Sequence, residues 1–367
     1  MEITVLQDRL AKALSAVSRV AASTKAGLPI LSNVLLRAED NQLTLTATNM
    51  EMAMVQYVNA KAKKNGTITV PAKLLAEFVS NLPKDDVQIT TKDEKLTISA
   101  GKYKSTINGI LADDYPELPK IDEKEAVTFK INVDIFKEAV NEVIIAASND
   151  TTRPALTGVY FNTFDGSLYI AATDGYRLAD KRFVEKVKSE IKAIVPTNAL
   201  QEVIRSISDN MDEIEVLITD SQIRFRMGEI EITSKLIDAS FPDYRQLIPK
   251  NCTSVIELDK AELIRMTKVA ALFARESGGS IVCEAKKEEG SFSISAVASE
   301  LGENTAAMEA VVSEDGKVVL NSRYLLDALN STIEGKITFG LSGKLAPVTI
   351  KNAKSDDYTH IIMPLKS

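Results

Sequence analysis

Val195-Pro196-Thr197-Asn198-Ala199-Leu200-Gln201-Glu202-Val203-Ile204-Arg205-Ser206-Ile207-Ser208 reads as the end of a buried strand running into a short helix. Proline at the first helical position loses no hydrogen bond, and Leu200, Val203, Ile204 and Ile207 recur at i, i+3, i+4 and i+7, which predicts one apolar stripe. The phrase returns at Val70-Pro71-Ala72-Lys73, with Leu75, Phe78, Val79 and Leu82, and at Leu320-Asn321-Ser322-Arg323, with Leu325, Ala328 and Leu329. Leu75, Leu200 and Leu325 fall roughly 125 residues apart. That period predicts three copies of one domain-sized unit and is far too long for a solenoid repeat.

Working outward, each copy opens with a strand and a longer helix. In the first, strand Ile3 to Leu6 leads to a helix from Asp8 to about Ala22 that buries Leu10, Ala13, Leu14 and Val17, with Asp8 as cap or first-turn acid. Strands at Val34 to Arg37, Leu43 to Thr48 and Met52 to Val58 precede the organising helix; Val87 to Thr91, Leu96 to Ala100 and Lys104 to Leu111 follow it. The second copy repeats this order with a helix from Asp134 to Ala147 burying Phe136, Ala139, Val140 and Val143. The third has a helix from Asp259 to about Arg275 and ends on the strand His360 to Pro364. Proline-rich linkers, Asp113 to Pro119 and Ser240 to Pro249, separate the copies. The expected fold class is α+β, three tandem similar domains at 1–120, 121–250 and 251–367, each with two helices packed on antiparallel sheets.

Composition is that of an ordinary globular chain: 45% hydrophobic and 26% charged, with no apolar run long enough to span a bilayer. Met1-Glu2-Ile3 starts without a basic or apolar leader pattern, so a cytoplasmic location is expected, and Cys252 and Cys283 are expected as free thiols.

Catalytic chemistry is missing. His360 is the single histidine, in a terminal strand, and no nucleophile motif, metal-ligand cluster or phosphate-binding glycine loop accompanies it. Asp150-Thr151-Thr152 lacks the glycine of an aspartic-protease loop, and Asp113-Asp114 reads as a solvated turn. No catalytic residue, cofactor or metal site is expected.

The net charge of −7 argues against a protein that grips nucleic acid by bulk electrostatics. The helices, however, carry eleven basic residues against nine acidic ones, a balance of +2 that leaves the rest of the chain at −9. The contrast is modest and does not by itself establish DNA contact.

Taken together with Leu28-Pro29-Ile30-Leu31, Arg153-Pro154-Ala155-Leu156-Thr157-Gly158, Ala172-Thr173-Asp174-Gly175-Tyr176-Arg177-Leu178-Ala179, Phe241-Pro242-Asp243-Tyr244-Arg245 and the ending Ile362-Met363-Pro364-Leu365, the whole chain resembles the bacterial DNA polymerase III beta subunit, the beta sliding clamp. The resemblance implies a head-to-tail homodimeric ring with helices lining the hole and duplex DNA encircled without sequence preference. A link by topology needs little phosphate affinity, which fits an acidic body with a faintly positive lumen. It implies partners that carry a short motif with glutamine and leucine-phenylalanine: the replicative polymerase catalytic subunit, the clamp loader, other DNA polymerases and repair proteins.

Their pocket would be formed by Arg153, Leu156, Thr173, Gly175, Tyr176, Arg177, Leu178, Pro242, Leu247, Ile361, Met363, Pro364 and Leu365. Expected DNA contacts are Lys12, Arg19, Lys25, Lys73, Arg205, Arg265, Lys268 and Arg323. Expected dimer contacts are Ile107, Leu272 and Phe273, with Met266, Val269, Ala270 and Phe273 also supplying core positions. The chain departs from many members at Tyr176, where histidine is common, at Gln246 and Lys25, where arginine is, and in its ending Lys366-Ser367. A repeat-built protein-binding scaffold that never encloses DNA is the competing class, with a hydrolase a distant third.

Overall fold

The computed structural model describes residues 1–22, 28–119, 121–187, 189–300, 302–331 and 335–366. Among them are six α-helices, α1 (Gln7–Ala22), α2 (Ala72–Ser80), α3 (Val133–Ile144), α4 (Thr197–Ser206), α5 (Lys260–Phe273) and α6 (Ser322–Ser331), and four antiparallel sheets. None of the helices is long and apolar enough to cross a membrane. The chain divides into two compact units, one made of Met1–Val133 with Asn198–Leu236, the other of Asp134–Thr197 with Ile237–Ser367.

In the first unit a five-stranded sheet runs in the order Lys61–Lys64, Glu2–Leu6, Asp86–Lys92, Lys95–Ala100, Tyr103–Asn108. Its eight-stranded sheet crosses from repeat to repeat: strand Ile230–Lys235 of the second pairs antiparallel with Met52–Asn59 of the first, from Ile230↔Gln56 to Ser234↔Met52. Alternation fixes which side is buried. Leu43 and Leu45 point inward without exposure, and they meet the stripe of α1, where Leu10, Ala13, Leu14 and Val17 are all buried. Leu75 and Val79 of α2 are fully buried as well.

The second unit repeats the device. Its nine-stranded sheet joins strand Arg177–Val184 to Tyr358–Ile362 of the third repeat, from Arg177↔Ile362 to Lys181↔Tyr358. A four-stranded sheet and the faces of α5 and α6 enclose a core that includes Leu263, Met266, Ala270, Phe292, Leu325, Leu329 and Phe339. Phe292 and Phe339 meet edge to face at 5.4 Å.

Several expectations are corrected. Pro71 and Pro196 end their strands, and Pro71 is the cap of α2 with φ −54°, so the helix begins one residue later than the sequence suggests. A cap keeps extended backbone while its carbonyl starts the helix, and proline's fixed φ suits that role too. Asp259 is likewise the cap of α5, accepting from the Glu262 amide at 2.9 Å. The second long helix ends at Ile144, three residues early. The strand Lys61–Lys64 had no pattern to reveal it, because three of its four residues are lysines on a sheet edge, where charge protects against unwanted pairing. Cys252 and Cys283 are free thiols.

Candidate functional site

The peptide-pocket residues gather in the second unit around a turn built by local hydrogen bonds. Thr173 Oγ1 donates to the Arg177 carbonyl at 2.6 Å and accepts from the Gly175 amide at 3.0 Å. Asp174 Oδ1 accepts from the amides of Tyr176 and Arg177 at 2.9 and 3.0 Å. Gly175 carries the turn at φ +93°, a backbone angle that favours glycine, and Arg153 Nη1 lies in ordinary contact distance of where a Cβ would stand. Tyr176 is left 60% exposed at the lip, and its carbonyl accepts from the Met363 amide at 2.8 Å. The Leu365 amide bonds the Val319 carbonyl at 2.8 Å, which pins the chain end as a wall.

The floor is apolar. Ala171, Leu178, Tyr244 and Ile361 are buried together, with Tyr160, Phe241 and Ile248 packed against them. Tyr160 and Phe241 stack at 4.7 Å, and Leu247, Pro242 and Met363 are exposed at the edge. Leu156 is 9% exposed, its amide bonded to the Arg153 carbonyl.

The expected set therefore divides in two. Leu178 and Ile361 form the floor. Arg177 is not a free cation: its guanidinium lies 3.1 Å from Asp174 and 2.6 Å from Asp327, over the ring of Tyr324. It braces the pocket from behind. Tyr244, Tyr160 and Phe241 are missed by sequence reasoning, although Phe241 and Tyr244 stand in the quoted Phe-Pro-Asp-Tyr-Arg stretch. Tyr244 donates to buried Asp180 at 2.7 Å, and Arg245 lies over Phe164, Tyr169 and Tyr244, tying the linker to the sheet. Burial, then the neighbouring Asp180 carboxylate, pushes the Tyr244 phenol up, so it stays a donor.

The basic residues fall in different places. Lys12 and Arg205 line one cleft of about 1460 Å³ in the first unit, together with Arg9 and, on its other side, Asp212, Glu213 and Glu229. Arg19 also lines it, but bonds Glu202 through Nε at 2.9 Å. Lys73 and Lys268 are exposed, Arg323 is exposed at the start of α6, and Arg265 is paired with Glu262. Lys25 lies outside the described residues. Of the dimer residues, Leu272 is 52% exposed, as is Val269 at 43%, which the sequence assigned to the core. Phe273 packs partly on its own core. Ile107 is 5% exposed and lies on the inner face of its edge strand.

No group of three or more His, Cys, Asp or Glu side chains among the described residues could hold a metal. His360 is fully buried. Burial, helped by Arg177, lowers its pKa to about 3, so it stays neutral.

Three repeats joined strand to strand, with an apolar cluster of Leu178, Tyr244 and Ile361 at the second junction, define the clamp fold. The chain belongs to the DNA polymerase III beta-subunit family: the N-terminal, central and C-terminal domains of that family match residues 1–119, 130–243 and 245–366. It is similar to the beta sliding clamp of Bacillus subtilis, 28% identical over the full length of both chains. Among solved structures it is similar to the DNA polymerase III beta subunit of Pseudomonas aeruginosa, 28% identical with a TM-score of 0.93 over all of both chains. A sliding clamp of Pseudomonas aeruginosa bound to griselimycin is 27% identical with a TM-score of 0.94, again over the whole of both chains.

Proposed function

We propose that this protein is a DNA sliding clamp: a processivity factor, without catalysis of its own, that closes as a cytoplasmic head-to-tail homodimer around duplex DNA and holds the replicative polymerase, the clamp loader and repair enzymes by their peptide motifs. The domains are 1–120, 121–250 and 251–367. The pocket described above takes the motif. Lys12 and Arg205, with Lys73, Lys268 and Arg323, touch phosphates loosely, and Lys25 joins them.

One observation carries the ring. In both internal junctions the third strand of one repeat's series (Met52–Asn59, Arg177–Val184) pairs with the last strand of the next repeat (Ile230–Lys235, Tyr358–Ile362). Their counterparts, Gly302–Glu309 in the third repeat and Tyr103–Asn108 in the first, are sheet edges. Both internal registers, carried through the strand ladders, predict the same pairing between two chains: Glu303 opposite Thr106, Asn304 opposite Ser105 and Thr305 opposite Lys104. The faces agree, since Glu303, Thr305, Thr106 and Lys104 are exposed whereas Asn304 and Ser105 turn inward. Asn304 Oδ1 is buried without a hydrogen-bond partner, and the Ser105 hydroxyl of a second chain would supply one. The contact is heterologous and closes after two copies.

Cysteines test it. Thr106→Cys with Glu303→Cys should oxidise to a species of twice the 40.0 kDa chain mass, and Thr106→Cys with Ala307→Cys should not. A wild type that is monomeric at micromolar concentration, with neither pair linking, overturns the ring in favour of an open scaffold. Deleting Met363 to Ser367 should abolish binding of a motif peptide by fluorescence polarisation, and unchanged affinity overturns the pocket.

A further inference from the structure

Lys181 lies on strand Arg177–Val184 with its side chain 6% exposed, and its Nζ stands 2.8 Å from Glu142, 3.3 Å from Glu138 and 3.1 Å from Asp357. Its strand partner Tyr358 donates to the Glu142 carbonyl at 3.1 Å and stands 3.1 Å from His360 Nδ1 and 3.2 Å from Ser331 Oγ. On the opposite face of the same two strands lie Leu178 and Ile361, the floor of the pocket. Three residues beyond His360 the chain becomes the pocket wall at Met363.

Joining two repeats does not require these charges. In the first junction the pair Gln56↔Ile230 stands where Lys181↔Tyr358 stands in the second. Counted from the starts of α1 and α3, Ala16 replaces Glu142 and Lys12 replaces Glu138. Glu229, next to Ile230, replaces Asp357. These residues line the cleft of about 1460 Å³, so the first junction is open where the second is filled by buried charge. Its strands pair all the same. Burying a lysine among carboxylates gains little over apolar packing, so the cluster is not explained by stability alone. What the second junction has in addition is the pocket.

We propose that Lys181, with Glu138, Glu142 and Asp357, is the positioning cluster of the peptide pocket, holding strand Tyr358–Ile362 and the Met363–Leu365 wall in place against the Thr173–Leu178 turn. This rests on the pocket reading above. Lys181 ties Asp357, just before the wall strand, to Glu142 and Glu138 on α3, so its loss frees one side of the pocket. Burial pushes Glu142 up to about 7, against the pull of Lys181 and with the push of Glu138 and Asp357. Tyr358 and neutral His360 complete its surroundings, with Arg177 farther along the strand. Ionisation of Glu142 completes the pair with Lys181, so the wall tightens as pH rises through neutrality.

The test is peptide binding by fluorescence polarisation with the full-length protein at about pH 6, 7 and 8. The peptide carries glutamine and leucine-phenylalanine, and dimer mass is checked by sedimentation. Wild-type affinity should rise about threefold across that range. Lys181→Met should weaken binding about tenfold, and Glu142→Gln should bind with no rise. If Lys181→Met fails to fold, Lys181→Met with Glu142→Gln strands no buried charge and should fold, bind weakly and show no pH response. A folded lysine variant, single or double, that binds within about twofold of wild type at every pH overturns the proposal. A wild type that binds no peptide, like the Met363–Ser367 deletion, overturns the pocket itself.

Discussion

Arg19 Nε donates to Glu202 Oε1 at 2.9 Å, joining α1 of the first repeat to α4 of the second. Glu202 is only 4% exposed, although it counts among the acidic residues of the helices. The pair changes the role of Arg19: its charge is answered by protein, not left for phosphate. Arg19→Ala should therefore cost about 2 kcal/mol, less than a fully buried pair because the arginine is partly solvated, by leaving the Glu202 carboxylate without its partner. Urea unfolding should show this loss, and the salt dependence of DNA retention should hardly move.

Lys12 and Arg205 are the opposite case. Both are exposed along the cleft, and among the described residues neither has an ion-pair partner. Lys12→Ala with Arg205→Ala should leave stability within about 0.5 kcal/mol of wild type. The slope of log affinity against log salt should fall by about 1 to 2 on duplex DNA of any sequence. Unchanged slope would remove this face from the DNA contact.

Gly175 holds φ +93°, a region that disfavours a side chain, with Arg153 Nη1 close above it. Gly175→Ala should cost about 1 kcal/mol by straining the turn that carries Tyr176. Melting should reveal a small drop in Tm, accompanied by weaker peptide binding. Gly101, with φ +55° and open space around it, is the control: the same substitution there should cost similar stability and spare the peptide.

Acid should find His360. Its folded pKa of about 3 lies below the ordinary 6.5, so between those values the unfolded chain binds the extra proton. Stability from this group is complete above pH 6.5 and is lost as pH falls, by up to about 1.4 kcal/mol per pH unit. Glu142 acts in reverse: with a folded pKa of about 7 against 4.5, it favours the folded state as pH falls through that window. The two oppose each other down to pH 4.5, and below it the histidine acts alone. Glu142 is common to both proteins, so urea titrations of His360→Gln against wild type should show the wild type losing the extra stability progressively from pH 6.5 down to about 3. Parallel curves would contradict a neutral buried imidazole.

How much was legible in the sequence follows from how local each signal is. The 125-residue recurrence of Leu75, Leu200 and Leu325 and the helical stripes depend on spacing along one chain, so three similar α+β repeats were readable directly. The turn at Thr173 to Arg177 was legible for the same reason, since its hydrogen bonds close within four residues. Pairings across long separations left no such mark. That Ile230 meets Gln56 and Arg177 meets Ile362, that Glu202 is buried by Arg19, that Ile107 points inward and Val269 outward, and that Lys181 gathers three carboxylates were all decided by tertiary structure. A charged or apolar side chain carries the same letter whether it faces water or a partner from another repeat. Its surroundings are set by which strands come edge to edge and how they are registered, and hydrophobic period constrains that to a face of the strand and no further.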